Sequence, residues 1–206
     1  MTVRPGVTGR RIVLGGVAAL AGCSLLPQPA PVQRVSWPLA VSPPNPLPTR
    51  RRGKVLMVRD LSSGPGLDQL GLQWLNANGS LHLDFYNAWS VPPAQALSDD
   101  MRRWLAGSGL FAAVVGPDSP VTGDLALGGE LTTFVGVPSL LEGRAAASIV
   151  LQDTRANPAR VLTQRTVSGT ARMPTPTPAG VAAALQAATV DLLRHTEADL
   201  ARYARA

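Results

Sequence analysis

Three long stretches in the second half of the chain constrain its fold more than any other feature. They cover residues 124–134, 144–153 and 161–171, and in each of them one set of alternate positions is mainly apolar or small. A period of two places alternate side chains on opposite faces of a β-strand. Turn-forming residues such as Asn157-Pro158 separate the stretches, so the sequence predicts three strands joined as a meander.

Shorter strands are predicted in the first half of the chain, where apolar alternation is brief. These strands cover residues 54–59, 72–75, 80–86 and 110–115. Asn78-Gly79 is typical of a hairpin turn between the second and the third of them. Residues 35–39 are expected to form an early edge strand or a pinned extended segment, because Trp37 is costly to leave in water. Gly128-Gly129 predicts a bulge or a close approach of two backbones.

Two stretches change to a helical period. In the first, one apolar stripe is formed by Leu97, Met101, Trp104 and Leu105. Ser90 is predicted to cap this helix, Pro92-Pro93 suits its first turn, and Gly107-Ser108-Gly109 is predicted to end it. The second helix is predicted from about residue 178 to residue 204. Its inward positions are Val181, Leu185, Ala188 and Leu192.

The order of these elements predicts an α+β fold. Strands come first, then a helix, a strand, a meander of three strands and a final helix. This order is typical of a single mixed, mostly antiparallel sheet with two main helices packed on one face. We find no internal repeat and no second domain in the sequence.

The N-terminal residues read as an export signal. Arg4, Arg10 and Arg11 precede an apolar run over residues 12–21, and small residues follow at Leu20-Ala21-Gly22-Cys23. The run is shorter than the roughly 20 apolar residues needed to span a bilayer. The last four residues resemble a bacterial lipobox, which implies removal of a signal peptide over residues 1–22 and attachment of lipid, including palmitate-type acyl chains, to Cys23.

Alternatives to this interpretation are a buried thiol in an ordinary helix and an uncleaved anchor helix. Gly15-Gly16 interrupts the apolar run, and the prolines after Cys23 prevent its extension. Arg10-Arg11 could also mark twin-arginine export, so the sequence leaves the export route open. Ser24 is not the aspartate that retains lipoproteins at the inner membrane of enteric bacteria, and this favours the outer membrane.

A proline-rich tether is predicted over residues 23–33, followed by one domain over residues 34–206. Proline-rich chain favours extended backbone that can hold a domain away from a membrane surface. The net charge of +6 includes three arginines of the predicted signal, so the processed chain carries about +3. This composition does not indicate a nucleic-acid-binding protein. Cys23 is the only cysteine, and no internal disulfide is expected.

The sequence offers no convincing catalytic set. His82 and Asp84 fall on the same face of a predicted strand, opposite Leu81, Leu83 and Phe85, but no nucleophile elbow accompanies them. An anchored hydrolase therefore stays a minor alternative. We find no metal-ligand spacing and no phosphate-binding loop. We predict a protein that is not an enzyme, with no cofactor other than the covalent lipid on Cys23.

One segment resembles a known family. Residues 81–93 end in a short polar stretch, a tryptophan and two prolines, and an amphipathic helix, a small-residue turn and an aromatic follow. This order is similar to that of the ABC-type transport auxiliary lipoprotein component family, the PqiC/YmbA-like group. The residues that match the family pattern are Asn87, Trp89, Pro92, Pro93 and Phe111. Trp37 stands where the family usually has a tyrosine.

The resemblance implies a function in lipid transport. Members accompany an MCE-domain protein and an ABC permease and ATPase that move lipids between the inner and outer membranes, and they act by binding partners. The alternative is a free-standing outer-membrane lipoprotein with a structural or envelope-assembly role. The sequence leaves open whether the domain binds phospholipid or forms a homo-oligomer. An exposed sheet edge or the polar sheet face is the expected binding surface.

Overall fold

The structure is a computed structural model, and it describes residue 2, residues 33–49 and residues 52–205. The predicted signal peptide, Cys23 and almost all of the predicted tether lie outside the described residues. From Gln33 onward the chain forms one unit. The α+β prediction is confirmed, because the described chain folds into a mixed nine-stranded sheet with helices packed on it.

The nine described strands follow the chain in this order: β1 Val35–Trp37, β2 Val55–Val58, β3 Ser62–Ser63, β4 Gly71–Leu75, β5 Leu81–Trp89, β6 Ala113–Val115, β7 Leu125–Val137, β8 Glu142–Asp153 and β9 Arg160–Arg172. Helix α1 spans Pro93–Ala106 and helix α2 spans Pro178–Ala204. A 3-10 turn, Pro138–Leu140, connects β7 to β8. The two-residue strand β3 lies in a segment for which the sequence predicted no strand.

The predicted meander is confirmed as the antiparallel strands β7, β8 and β9. The other edge of β7 is shared by three short strands, because β2, β3 and β4 pair with it one after another. Each of these pairings is parallel, as are those of β2 with β6 and of β1 with β5. The sheet is mostly antiparallel by length, and its parallel pairings are all short.

The core lies between the sheet and the two helices. The predicted stripes of both helices are buried, and they pack with Leu125, Leu127 and Leu131 of β7. The Nε1–H of Trp104 in α1 donates a hydrogen bond to Glu197 in α2 over 2.7 Å, which joins the helices. Helix α2 lies very close to β9 at Gly169, where a Cβ would overlap the Ala188 carbonyl oxygen.

Helix α1 begins differently from the prediction. Its N-cap is Pro92, with no side-chain hydrogen bond to the helix, and Pro93 is its first residue. Ser90 does not cap it, because its hydroxyl and its backbone N–H both donate to the Trp37 carbonyl. The helix ends at Gly107 in right-handed geometry, and the left-handed residue is Gly109. At the start of the helix, the ring of Pro93 already fixes φ near the helical value, so the helix begins there without a side-chain cap.

The expected irregularity in β7 is present as a close approach of backbones. Gly129 has a φ of 157°, and a Cβ there would overlap the Ser148 carbonyl oxygen. The change of register lies instead between Leu131 and Thr133. The alternative of a bulge at Gly128-Gly129 was therefore wrong.

The proline-rich residues after β1 are packed on the domain. Leu39 and Val41 are buried, and the Leu47 N–H donates to the Gly107 carbonyl over 2.7 Å. A Cβ at Gly107 would overlap Pro43. This stretch continues the proline-rich composition of the predicted tether, but helix α1 holds it along the surface of the domain.

Candidate binding surface

Four of the residues that match the family pattern are either buried in the core or begin helix α1. Trp89 is the last residue of β5, is 2% exposed, and lies against Phe134 with ring centroids 5.4 Å apart. Pro92 and Pro93 begin helix α1. Phe111 follows α1 and is buried. Trp89 and the two prolines therefore form the junction between β5 and α1, whereas Phe111 packs in the core beyond the other end of the helix.

Asn87 has a different position, because it belongs to a polar network beside β1. Its side-chain amide donates to Asp84 Oδ2 over 2.8 Å, and its Oδ1 accepts from Trp37 Nε1 over 3.4 Å. Asp84 Oδ1 also accepts the backbone N–H groups of Tyr86 and Asn87, over 2.8 and 3.1 Å. Partial burial opposes ionisation of Asp84, but these hydrogen bonds outweigh it and lower its pKa.

This network encloses a bulge in β5. Along β4, Gly71 pairs with Ala88, whereas the next residue, Leu72, pairs with Asp84. Residues 85–87 therefore have no counterpart on β4, which makes them a bulge in β5. The Asp84 carboxylate takes up the backbone donors that the bulge frees from the β4 ladder. The bulge is thus a hydrogen-bonded structure of defined shape.

Large apolar side chains are exposed around the bulge. Phe85 is 71% exposed and Tyr86 is 51% exposed, and Leu81 and Val35 are also exposed. We call these four residues the bulge surface. A groove of about 560 Å³ adjoins it, lined in part by Val35, Leu70, Leu83 and Phe85. The sequence predicts Leu81, Leu83 and Phe85 on one face of the strand; Leu81 and Phe85 are exposed and Leu83 is half-buried, so the core does not cover them.

His82 and Asp84, which were considered for catalysis, make different contacts. The His82 ring stacks on Trp74 with centroids 4.2 Å apart. The Asp84 carboxylate accepts from the bulge backbone and from Asn87. Among the described residues, no group of three His, Cys, Asp or Glu side chains could hold a metal ion.

Asp100 is a residue whose environment the sequence reasoning missed. Its side chain is fully buried, its Oδ1 accepts the Val41 N–H over 3.2 Å and a donor from Arg103, and its Oδ2 has no partner. Burial raises its pKa to about 6, against the opposing effects of the Val41 N–H and of the Arg103 charge. Its place three residues after Leu97 on the buried stripe was the available signal.

Beside the helices, away from the bulge, the described chain has two further concave regions. One has a volume of about 410 Å³ and is lined by Trp74, Pro138 and the residues that begin α2. The other, about 680 Å³, is more polar and contains the ion pairs of Arg102 with Asp60 and Asp99. Within the described residues, no helix is both long and apolar enough to cross a bilayer.

Comparison with known proteins identifies the fold. No family model matches the chain, and no curated protein matches its sequence. Protein XCC0632 from Xanthomonas campestris, of the DUF330 family, superposes with a TM-score of 0.68 and 20% identity, covering 82% of this chain and 94% of that one. An uncharacterized protein superposes with a TM-score of 0.61 and 15% identity, covering 83% and 98%. At these identities the similarity shows a shared fold.

Proposed function

We propose that this chain is a PqiC/YmbA-like lipoprotein that faces the periplasm and serves as an accessory component of an MCE/ABC-type lipid transport system. The observation that carries the proposal is the fold shared with a DUF330 protein, since DUF330 is the PqiC/YmbA-like family. The lipobox-like sequence ending at Cys23 supports it independently. So does the order of Trp89, Pro92, Pro93, helix α1 and Phe111 along the chain, which is similar to the family pattern.

The proposed action is binding. An anchored domain on a short tether is present at high effective concentration near any partner in the same envelope layer. Its partners would be an MCE-domain protein and, through it, the permease and ATPase that move lipid between the membranes. The described residues that we considered for chemistry, His82 and Asp84, have structural contacts that account for their positions. We therefore propose no reaction and no cofactor beyond the lipid on Cys23.

Mass spectrometry of the native product tests the anchor. We expect a mature chain that begins at Cys23 and carries a diacylglyceryl thioether. Membrane fractionation should then place it in the outer membrane. A Cys23→Ala variant should stay unprocessed or lose its normal location. A native chain that begins elsewhere without a lipid would contradict the proposal.

Cross-linking in intact cells tests the partner. The mature lipoprotein should cross-link to an MCE-domain protein, and deleting that protein should abolish the product. A Val161→Ala variant, changed on β9 at the far edge of the sheet from β5, provides a surface control. Acylation and outer-membrane location without any MCE product would instead favour the free-standing structural lipoprotein.

A further inference from the structure

The bulge surface exposes two aromatic side chains on a backbone of defined shape. Phe85 and Tyr86 follow directly on Asp84, whose carboxylate accepts the Tyr86 and Asn87 N–H groups. The Trp37 indole then bonds Asn87, which links the bulge to β1. A rigid support of this kind lowers the entropy cost of a contact made through exposed aromatics.

We infer that the bulge surface contacts the phospholipid surface of the membrane that holds the anchor. This inference rests on the proposed acylation of Cys23. The bulge surface meets the lipid interface mainly through Phe85 and Tyr86, and Val35 and Leu81 add to the contact.

The position of β1 supports this inference. β1 runs parallel to β5 with Val35 beside Asn87. The residues that precede β1 therefore lie toward the part of β5 that carries Leu81 and Phe85. About ten residues separate Cys23 from Arg34, and an extended chain of that length spans at most roughly 35 Å. The anchor thus keeps this part of the domain close to the membrane.

The chemistry of the surface suits a lipid interface. Tyrosine is enriched at the boundary of membrane and water, where its ring meets acyl chains and its hydroxyl meets water or headgroups. Exposed Arg34 precedes Val35 and can approach lipid phosphate. The Asp84 carboxylate is already engaged in the bulge, and exposed Asp68 is the other acidic residue beside the groove, which Arg34 also lines.

The same bulge disfavours a partner that would add a strand here. An added strand needs free backbone groups in a regular ladder. The Tyr86 and Asn87 N–H groups are directed to Asp84 and are not available for pairing. Bulges are a common means of protecting a sheet edge against such pairing. A lipid surface requires apolar side chains and no ladder, so the observations favour it.

The proposed lipid on Cys23 makes site-specific cysteine labelling practical. In the proposed mature lipoprotein the only native cysteine carries lipid and has no free thiol, so one introduced cysteine can be labelled alone. We would prepare the mature proteins Phe85→Cys and Tyr86→Cys, with Val161→Cys as the control. Val161 is also exposed but lies on β9, with β8, β7 and β4 between it and β5. Each protein is labelled with an environment-sensitive fluorophore and reconstituted in vesicles of phosphatidylethanolamine and phosphatidylglycerol.

Brominated lipids in the vesicles report contact by quenching. Amphipathic helices bury their apolar face about 5–10 Å into the interface, and a comparable depth for the bulge surface should quench the labels at positions 85 and 86. The label at position 161 should keep its fluorescence. Circular dichroism and the melting temperature establish that each labelled variant is folded.

The outcomes separate this inference from the proposed function. Acylated protein whose labels at 85, 86 and 161 respond equally to brominated lipid overturns the inference and leaves the proposed function standing. A change in the fluorescence of the label at position 85 that occurs only when an MCE-domain protein is added overturns the inference in favour of a protein contact. A wild-type chain that takes the label at Cys23 has no lipid there, which contradicts the proposed function and removes the premise of the inference.

Discussion

Trp89 is the residue at which the family pattern and the packing of the domain coincide. Its indole is almost completely buried at the end of β5 and contacts Phe134 of β7. Its backbone N–H donates to the Leu70 carbonyl over 2.7 Å. A large side chain at this place connects the strand that carries the bulge to the core, so its contribution is to stability.

Replacing Trp89 by alanine should lower the free energy of unfolding by about 3–5 kcal/mol, as for other large core truncations. Trp74→Ala is the matched control, because Trp74 is only partly buried and its ring stacks on exposed His82. Urea unfolding followed by circular dichroism measures both. Equal losses for the two variants would contradict the central position of Trp89.

Asp100 should make stability depend on pH. Burial raises its pKa from 3.8 to about 6, so the native state holds the proton more tightly than the unfolded chain does. The contribution of Asp100 to stability is therefore greatest below pH 4 and declines as the pH rises to about 6. A change of about two pKa units corresponds to roughly 3 kcal/mol.

Asp100→Asn isolates this effect, because the amide oxygen can still accept the Val41 N–H and the side chain does not titrate. The stability of the wild type relative to this variant should fall by roughly 3 kcal/mol between pH 4 and pH 7. Unfolding curves across this range measure the difference. A constant difference would mean that Asp100 titrates as an ordinary exposed acid.

At the scale of elements, the contact between α2 and β9 depends on small residues. Gly169 of β9 lies against the backbone of α2 at Ala188 and Leu192, and Gly143 of β8 lies against Ala184. Strand and helix backbones can approach this closely only where no Cβ intervenes. The small residues in β8 and β9 are thus part of the packing of the longest helix.

Gly169→Ala should destabilise the domain by about 1–3 kcal/mol, since an added methyl must push α2 away from β9. Gly128→Ala in β7 is the control, because its nearest neighbour would be the Arg59 side chain at 3.6 Å. Thermal unfolding distinguishes the two variants. A harmless Gly169→Ala would show that α2 can shift without cost.

At the scale of the whole molecule, the proline-rich stretch that follows β1 is part of the domain. It buries Leu39 and Val41, supplies the Val41 N–H to Asp100 and pairs Leu47 with Ser108. A boundary placed by composition alone would assign these residues to a flexible linker, but their contacts with α1 make them structural.

A chain that starts at Gln33 should therefore keep the stability of the longer protein, whereas one that starts at Arg52 should lose about 3–6 kcal/mol from the burial of Leu39 and Val41. Melting temperatures of the two shortened chains, compared with that of the longer protein, measure this. Equal melting temperatures for the two shortened chains would contradict the assignment of residues 33–49 to the domain.

Local patterns determined much of this fold from the sequence. The meander and the bounds of α2 follow from periods of two and 3.6, because each depends on neighbouring residues of the same element. The same holds for the buried stripe of α1. The resemblance identified five residues as a group: Asn87, Trp89, Pro92, Pro93 and Phe111. The structure places Trp89 and the two prolines at the junction of β5 and α1. Phe111 is buried beyond the other end of α1, and Asn87 belongs to the polar network of the bulge.

Only the tertiary structure decided which segments meet. The parallel pairing of three short strands along one edge of β7 joins parts distant in sequence, and no local period records such partners. The burial of Asp100 depends on Val41 lying over α1, and the exposure of Phe85 depends on a register shift against β4. Each is a contact between segments remote in sequence, so it stabilises the fold only after the chain has brought those segments together.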